Sequence, residues 1–164
     1  MKGKVWKFGD NVDTDAITPG KYLGGSQSEL KKHILEVVNP RFPQEVKPGD
    51  MIVAGSNFGC GSSRESAPVA LKAIGIGAIV AESFARIFFR NAIAIGLPIL
   101  TCPDVSLSFA DGDEMELDLA TAKITNVTQR KILHAQPLPE QMLQVLSRGG
   151  IVPLLREIGS KGTE

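Results

Sequence analysis

The chain has 164 residues, which is enough for one domain with its own hydrophobic core. It carries 18 Lys and Arg against 18 Asp and Glu, and this zero net charge argues against nucleic acid as a partner. Two widely separated cysteines exclude a disulfide scaffold and a zinc module. The N-terminus has no signal-peptide pattern and the apolar runs are too short for a bilayer, so we expect a cytoplasmic protein without a membrane partner.

The first third of the chain predicts a strand, an irregular stretch and a helix. Residues 4–8 look like a strand, whereas 11–20 are too rich in acids and helix breakers to be regular. Ser26 and Glu29 have capping-box spacing, which predicts a helix that continues to about Val38. Three prolines then indicate an extended connection to the next strand.

The middle of the chain alternates between apolar runs and helix-like runs. Strands are predicted at 51–54, 77–81 and 97–101, with helices at 65–74 and 84–95 between them. Such an order is typical of parallel α/β connections.

The last part of the chain changes character. Residues 115–119 and 123–127 alternate between polar and apolar side chains, which predicts an antiparallel, hairpin-rich part. A final helix is predicted from Pro139 to about Ser147, and a loosely ordered tail from about 156. We therefore expect a single α/β domain over residues 1–164, with a mixed parallel sheet and a hairpin-rich β part.

The most informative motif is Asn57-Phe58-Gly59-Cys60-Gly61-Ser62-Ser63-Arg64-Glu65-Ser66, between a predicted strand and a predicted helix. This position predicts that Ser62, Ser63 and Arg64 lie at a helix N-terminus, where backbone N–H groups attract anions. A guanidinium there offers a planar fork that suits a carboxylate. The motif therefore predicts an anion site.

Two further polar clusters interrupt the aliphatic sequence, at 13–15 and at 83–91. The second of these and the Ser62 motif each follow a predicted parallel strand, at the sheet edge where ligands bind in open α/β folds. For Arg86 and Arg90, one helical turn apart, the pattern favours a solvated surface or a structural ion pair over ligand binding.

Several familiar site types are excluded by the motif. Arg64 stands where a dinucleotide fingerprint needs its third glycine, and no P-loop is present. Cys60 lacks a base, because neither His33, in the predicted helix, nor His134, at a strand end, is tied to it. The serines do not fit the Gly-x-Ser-x-Gly elbow of hydrolases.

A serine without a histidine is suited to carbanion chemistry if its alkoxide is stabilised by helix-end amides and a guanidinium. It would then take a proton from a carbon beside a carboxylate. Elimination of a β-hydroxyl would also need a Lewis acid. Two cysteines cannot hold an iron–sulfur cubane, so that metal would come from another polypeptide.

The segments 57–65 and 83–91, preceded by 13–15 and Tyr22-Leu23, resemble the small-subunit family of 3-isopropylmalate dehydratases, which is similar to the swivelling domain of aconitase. The resemblance extends from residue 4 to about 155. It implies a three-layer β/β/α swivelling domain. It also implies a hydro-lyase that converts 2-isopropylmalate to 3-isopropylmalate by dehydration and rehydration in leucine biosynthesis.

The resemblance assigns roles to individual residues. Ser62 corresponds to the catalytic base, Ser63 and Arg64 hold the substrate carboxylate and support that base, and Asp15 lies near the site. Tyr22, Leu23, Gly24 and Gly25 form the substrate-selecting loop. The chain itself is expected to bind no cofactor, because the [4Fe–4S] cluster belongs to a large partner subunit, and the substrate is a small hydroxy-dicarboxylate.

The substrate side chain and the assembly stay open at this point. Relatives that accept an extra carboxylate place an arginine soon after Tyr-Leu, where this chain has Gly24 and Gly25. This difference weakens a homoaconitase reading and leaves dimethylmalate and citramalate relatives as alternatives. A stand-alone anion-binding module or an RNA-binding module remains as a different class of function, and self-association of the isolated chain is also open.

Overall fold

The computed structural model describes residues 1–162. The strands in this range are β1 (Lys2–Lys7), β2 (Met51–Ala54), β3 (Ala78–Ala81), β4 (Ile99–Thr101), β5 (Glu114–Asp118), β6 (Lys123–Asn126) and β7 (Lys131–His134). The helices are α1 (Thr14–Ile17), α2 (Gln27–Lys31), α3 (Phe42–Glu45), α4 (Ser66–Ala73), α5 (Arg86–Ala94), α6 (Val105–Ser108), α7 (Glu140–Ser147) and α8 (Ile151–Lys161). A short 3₁₀ helix spans Gly20–Tyr22.

The strands form a sheet in the order β4-β3-β2-β1-β5-β6-β7. Strands β1 to β4 are parallel, whereas β5, β6 and β7 add antiparallel neighbours. Strand β1 belongs to both parts, because residues 5–7 pair with β2 and residues 2–4 pair with β5. The predicted combination of a parallel sheet with a hairpin-rich part is therefore confirmed.

Two hydrophobic clusters lie on opposite faces of the parallel strands. Every residue of β2 and β3 is buried, as expected for strands covered on both faces. One cluster joins alternate strand residues to the helices α4, α5 and α7, and includes Trp6, Ile52, Ile79, Leu71, Phe88 and Leu146. The other joins the intervening strand residues to the antiparallel part, and includes Val5, Val53, Val80, Met115, Leu117 and Ile124. The fold thus has the β/β/α layers that the resemblance implies.

The predicted helix after Ser26 is much shorter than expected. Ser26 caps it as predicted, since its hydroxyl accepts a hydrogen bond from the Glu29 amide at 3.2 Å, but α2 ends at Lys31. Leu35 has a left-handed backbone with φ of +58°, and its amide donates to the carbonyls of Ala16 and Ile17. These contacts with α1 replace the helical hydrogen bonds that the local pattern favours.

The observed secondary structure also differs from the prediction near both ends of the chain. The stretch predicted to be irregular contains α1, which Asp13 caps by accepting a hydrogen bond from the Ala16 amide at 2.7 Å. The predicted loose tail is instead α8, an amphipathic helix that packs on α5 and α7 and continues to Lys161. No helix within residues 1–162 has the length and apolar character needed to cross a membrane.

Candidate active site

The loop between β2 and α4 is held by backbone hydrogen bonds on two sides. On one side the Gly59 amide donates to the Val12 carbonyl at 2.7 Å, and the Thr14 amide donates to the Cys60 carbonyl at 2.9 Å. On the other side the Ala85 amide donates to the Phe58 carbonyl at 3.0 Å. This loop therefore joins the three polar clusters that the sequence keeps far apart.

Gly59 allows the loop to lie directly against α5. Its φ is +80°, and a Cβ atom at this position would lie 2.2 Å from Cγ of Phe88. A side chain here would meet both a strained backbone and a steric clash. The glycine thus fixes the separation between the Ser62 loop and α5.

A cleft of about 430 Å³ opens where the loop meets α5, next to the carboxyl ends of β2 and β3. Its lining combines residues of the serine motif with residues of α5 and of α1, and includes Thr14, Ser62, Ser63, Arg64, Arg86 and Arg90. The structure brings together the clusters that the sequence placed at this edge of the sheet.

Ser62 is exposed to the cleft and contacts the buried Thr14. The hydroxyl of Thr14 donates a hydrogen bond to the Ser62 carbonyl at 2.9 Å and lies 3.2 Å from Ser62 Oγ. Because a hydroxyl has one proton and two lone pairs, Thr14 can accept from Ser62 Oγ while it donates to the carbonyl. Thr14 lies within the polar cluster at 13–15, but the sequence pattern alone assigns it no role in the site.

The serines lie in the connection from β2 to the N-terminus of α4, as predicted, but ahead of the helix end itself. Helix α4 begins at Ser66, with Glu65 as its N-cap, so Ser62 and Ser63 lie in the loop ahead of it. Gly61, with φ of +93°, and a hydrogen bond from the Arg64 amide to the Ser62 carbonyl shape a separate turn. Since the helix dipole acts mainly over the first turn, the helix contributes little at Ser62.

Arg64 is anchored from one side. Its Nη1 lies 3.0 Å from Asp15 Oδ1 and also donates to the Thr18 carbonyl at 3.1 Å. The Gly20 amide donates to the same Asp15 oxygen, and together with Arg64 it lowers the pKa of that carboxyl below its ordinary value. Asp15 thus lies near the site, as the resemblance implies, and orients the guanidinium towards the cleft.

The predicted substrate loop lies beside the cleft and does not line it. Tyr22 stacks on His33 with ring centroids 3.6 Å apart, while Leu23, Gly24 and Gly25 are exposed to solvent. The loop connects to the site through Gly20, whose amide holds Asp15. The structure therefore does not bring Tyr22, Leu23, Gly24 or Gly25 together with Ser62.

Arg86 and Arg90 are exposed, in agreement with the predicted solvated surface, but they also have a place in the cleft that the sequence did not indicate. Both line the same cleft as Ser62, from the first and second turns of α5. Within residues 1–162, neither guanidinium forms an ion pair. The sequence did show their helical spacing, but it could not show which way that face of the helix points.

The side chains of this chain do not fit an iron–sulfur cluster. Among residues 1–162, no three His, Cys, Asp or Glu side chains gather in a way that could hold a metal ion. Cys60 is partly exposed, and Cys102 is buried on the other side of the sheet. Burial, together with Asp104, raises the pKa of the Cys102 thiol to about 11, which disfavours the thiolate that a metal requires.

Comparisons with known proteins identify the family. A family model described as the aconitase C-terminal domain matches residues 5–104. The isopropylmalate/citramalate isomerase small subunit of Methanocaldococcus jannaschii is 52% identical, over 96% of this chain and 94% of that relative. The methanogen homoaconitase small subunit of Methanothermobacter thermautotrophicus is also 52% identical, over 93% of this chain and 88% of that relative.

A solved structure extends the similarity to three dimensions. The crystal structure of 3-isopropylmalate dehydratase from Methanocaldococcus jannaschii matches with a TM-score of 0.92 and 43% identity, covering 99% of this chain and 96% of that chain. Sequence and fold therefore agree over nearly the whole length. The chain belongs to the aconitase C-terminal domain family, among the small subunits of 3-isopropylmalate dehydratase and their relatives.

Proposed function

We propose that this chain is the small subunit of a 3-isopropylmalate dehydratase, which isomerises 2-isopropylmalate to 3-isopropylmalate by dehydration and rehydration. The observation that carries the proposal is the arrangement of Ser62, held by Thr14, in one cleft with Arg64. The names of the relatives support the substrate class. Leucine biosynthesis is the corresponding pathway.

Ser62 is the proposed base. In dehydration its Oγ, as the alkoxide, takes a proton from the carbon beside a substrate carboxylate and becomes the neutral hydroxyl. The electrons of that C–H bond form the double bond, and the hydroxyl on the neighbouring carbon leaves as hydroxide, which a Lewis acid from the partner subunit would accept. In rehydration the same hydroxyl returns the proton to carbon. Once Oγ is an alkoxide, it can accept the Thr14 proton that otherwise goes to the Ser62 carbonyl. This hydrogen bond and the charge of Arg64 lower the cost of the alkoxide.

Arg64 and Ser63 are proposed to bind the carboxylate next to the reacting carbon. Asp15 and the Thr18 carbonyl occupy Nη1, which leaves the other guanidinium N–H groups for a ligand. A guanidinium pinned in this way loses little conformational entropy when it binds a carboxylate. The chain's own residues thus provide proton transfer and substrate orientation.

A large partner subunit is proposed to complete the site. Ser62 and Ser63 are exposed in an open cleft, whereas elimination proceeds best where water is excluded. We assign the [4Fe–4S] cluster to that partner, because the donor set of this chain does not fit one. The active enzyme is accordingly a heteromer.

The test is a Ser62→Ala variant assayed after mixing with the large subunit. Loss of a positioned proton-transfer group should lower kcat by about 10²–10⁴-fold. Ser56→Ala, at an exposed serine outside the cleft, serves as the matched control and should retain full activity. Wild-type turnover by a correctly folded Ser62→Ala complex would reject Ser62 as the base.

A homoaconitase small subunit is the second candidate, favoured by the 52% identity to the methanogen protein of that name. Against it stands the family pattern, in which relatives that accept a third carboxylate have an arginine where this chain has Gly24 and Gly25. We therefore expect a higher kcat/KM for isopropylmalate than for a homocitrate-type tricarboxylate. The same assay covers dimethylmalate and citramalate, and a stand-alone anion-binding or RNA-binding module would turn over none of these substrates.

A further inference from the structure

We propose that Arg86 and Arg90 form a second carboxylate subsite, which holds the substrate carboxylate remote from Ser62 and selects dicarboxylates over monocarboxylates. This inference rests on the proposed function and concerns the same cleft. The subsite gives a role to Arg86 and Arg90, which have no part in the proton transfer proposed for Ser62.

The positions of the two arginines are set by the packing of α5. Residues four apart project from the same side of a helix, and both arginines are among the residues that line the cleft containing Ser62. Between them in sequence, Phe88 is buried against Phe58 with ring centroids 5.4 Å apart, in contact with the Gly59 backbone. This packing holds α5 directly against the Ser62 loop.

The charge of the cleft matches a dianion. Arg64 has Asp15 as its counter-ion, whereas Arg86 and Arg90 lack an acidic partner within residues 1–162. The chain as a whole is neutral, so this concentration of positive charge is local. One carboxylate at Arg64 and a second at the α5 pair would satisfy the guanidiniums that face the cleft.

The size of the cleft also fits such a ligand. A volume of about 430 Å³ is at the lower end of the usual range for small-molecule sites. Arg86 and Arg90 are exposed at the rim, so an acidic surface of the large subunit is the competing occupant. Their place in the same cleft as Ser62 favours the substrate, and the experiment below distinguishes the competing role.

The kinetic test uses Arg86→Gln and Arg90→Gln in the complex with the large subunit. Losing a charge-assisted contact should raise KM for the dicarboxylate by about 10–100-fold while kcat changes little. Inhibition by malate should weaken to the same extent, whereas inhibition by lactate, which has a single carboxylate, should stay the same. Arg156→Gln removes the same charge from α8, outside the cleft, and should leave all of these values unchanged.

Two results would overturn the subsite. One is an unchanged KM and an unchanged preference for malate over lactate in both variants. The other is that the variants need a higher concentration of large subunit to reach full activity, while KM for the dicarboxylate at saturating large subunit is unchanged. That result would identify the arginine pair as a docking surface.

A binding measurement distinguishes failure of this inference from failure of the proposed function. In NMR titrations of the isolated chain, malate should shift the Nε–Hε signals of Arg86 and Arg90, and lactate should not. The shifts should be lost on substitution of either arginine. If malate causes these shifts but the mixed complex has no activity on isopropylmalate, the proposed function fails and the subsite stands. If malate causes no shifts in the wild-type chain, the subsite is rejected.

Discussion

Thr14 is the residue whose side chain holds the proposed base, since its hydroxyl contacts both the carbonyl and the hydroxyl of Ser62. Thr14→Val keeps the shape of the side chain but removes both contacts. We expect kcat of the complex to fall about 10-fold, in line with a net loss of ~1–1.5 kcal/mol for a hydrogen bond. Thr14→Ser, which keeps the hydroxyl, should retain most of the activity. Equal kcat for the valine variant and the wild type would show that Thr14 does not position Ser62.

Arg64 is expected to act through the geometry of its guanidinium and not through charge alone. Arg64→Lys keeps the charge but cannot contact Asp15, Thr18 and a carboxylate together. Both Arg64→Lys and Arg64→Ala should therefore lower kcat/KM, each by about 10–100-fold or more. Steady-state kinetics with saturating large subunit measure this effect separately from assembly. If the lysine variant keeps most of the activity, a simple positive charge is sufficient.

At the scale of elements, the contact between the Ser62 loop and α5 depends on Gly59. In Gly59→Ala, the left-handed backbone and the overlap with Phe88 should together destabilise the fold by about 2–4 kcal/mol. Gly9→Ala is the matched control, because a Cβ atom there meets nothing within 4 Å. Urea unfolding of the two variants gives the comparison. A midpoint for Gly59→Ala as high as that of the control would mean that the loop is not held against α5 in solution.

The loop at Gly20–Gly25 should respond to pH through the stack of Tyr22 on His33. Hydrogen bonds to Glu36 and Glu29 raise the pKa of His33 above 6.5, with Lys32 and Lys21 as the nearby cations. The folded value exceeds the unfolded one, so this stabilisation is complete below pH 6.5 and is lost as pH rises through the folded value. Amide hydrogen exchange of the loop, corrected for its intrinsic pH dependence, should show more protection at pH 5.5 than at pH 8. His33→Gln should abolish the difference, and a pH-independent wild type would contradict the link.

For the whole molecule, the sequence predicts best where local pattern and tertiary structure agree. The apolar runs of β2 and β3 and the alternation in β5 and β6 are each sufficient to identify the strands, and parallel order places Ser62 and Arg86 at one edge. The sequence predicts element boundaries poorly where contacts between distant residues determine the backbone conformation. The amide of Leu35 bonds to α1 and ends a helix that local spacing favours, and the turn at Gly61 separates the serines from the helix that follows.

The sequence also does not predict the direction in which side chains point relative to the rest of the fold. The spacing of Arg86 and Arg90 shows a shared helix face, but only the packing of Phe88 under Gly59 turns that face towards the cleft. Thr14 likewise becomes part of the site through its contact with a loop 48 residues away. In both cases the local pattern marks the residue, but only tertiary packing places it in the site.

We propose that this chain carries the proton-transfer half of a dehydratase whose other half lies on a second polypeptide. The most direct measurement is the rate of isopropylmalate isomerisation by the purified chain, by an iron–sulfur large subunit, and by their mixture. We predict activity in the mixture and none in either component alone. Turnover by the chain alone, or an inactive mixture of two folded subunits that bind each other, would contradict the account.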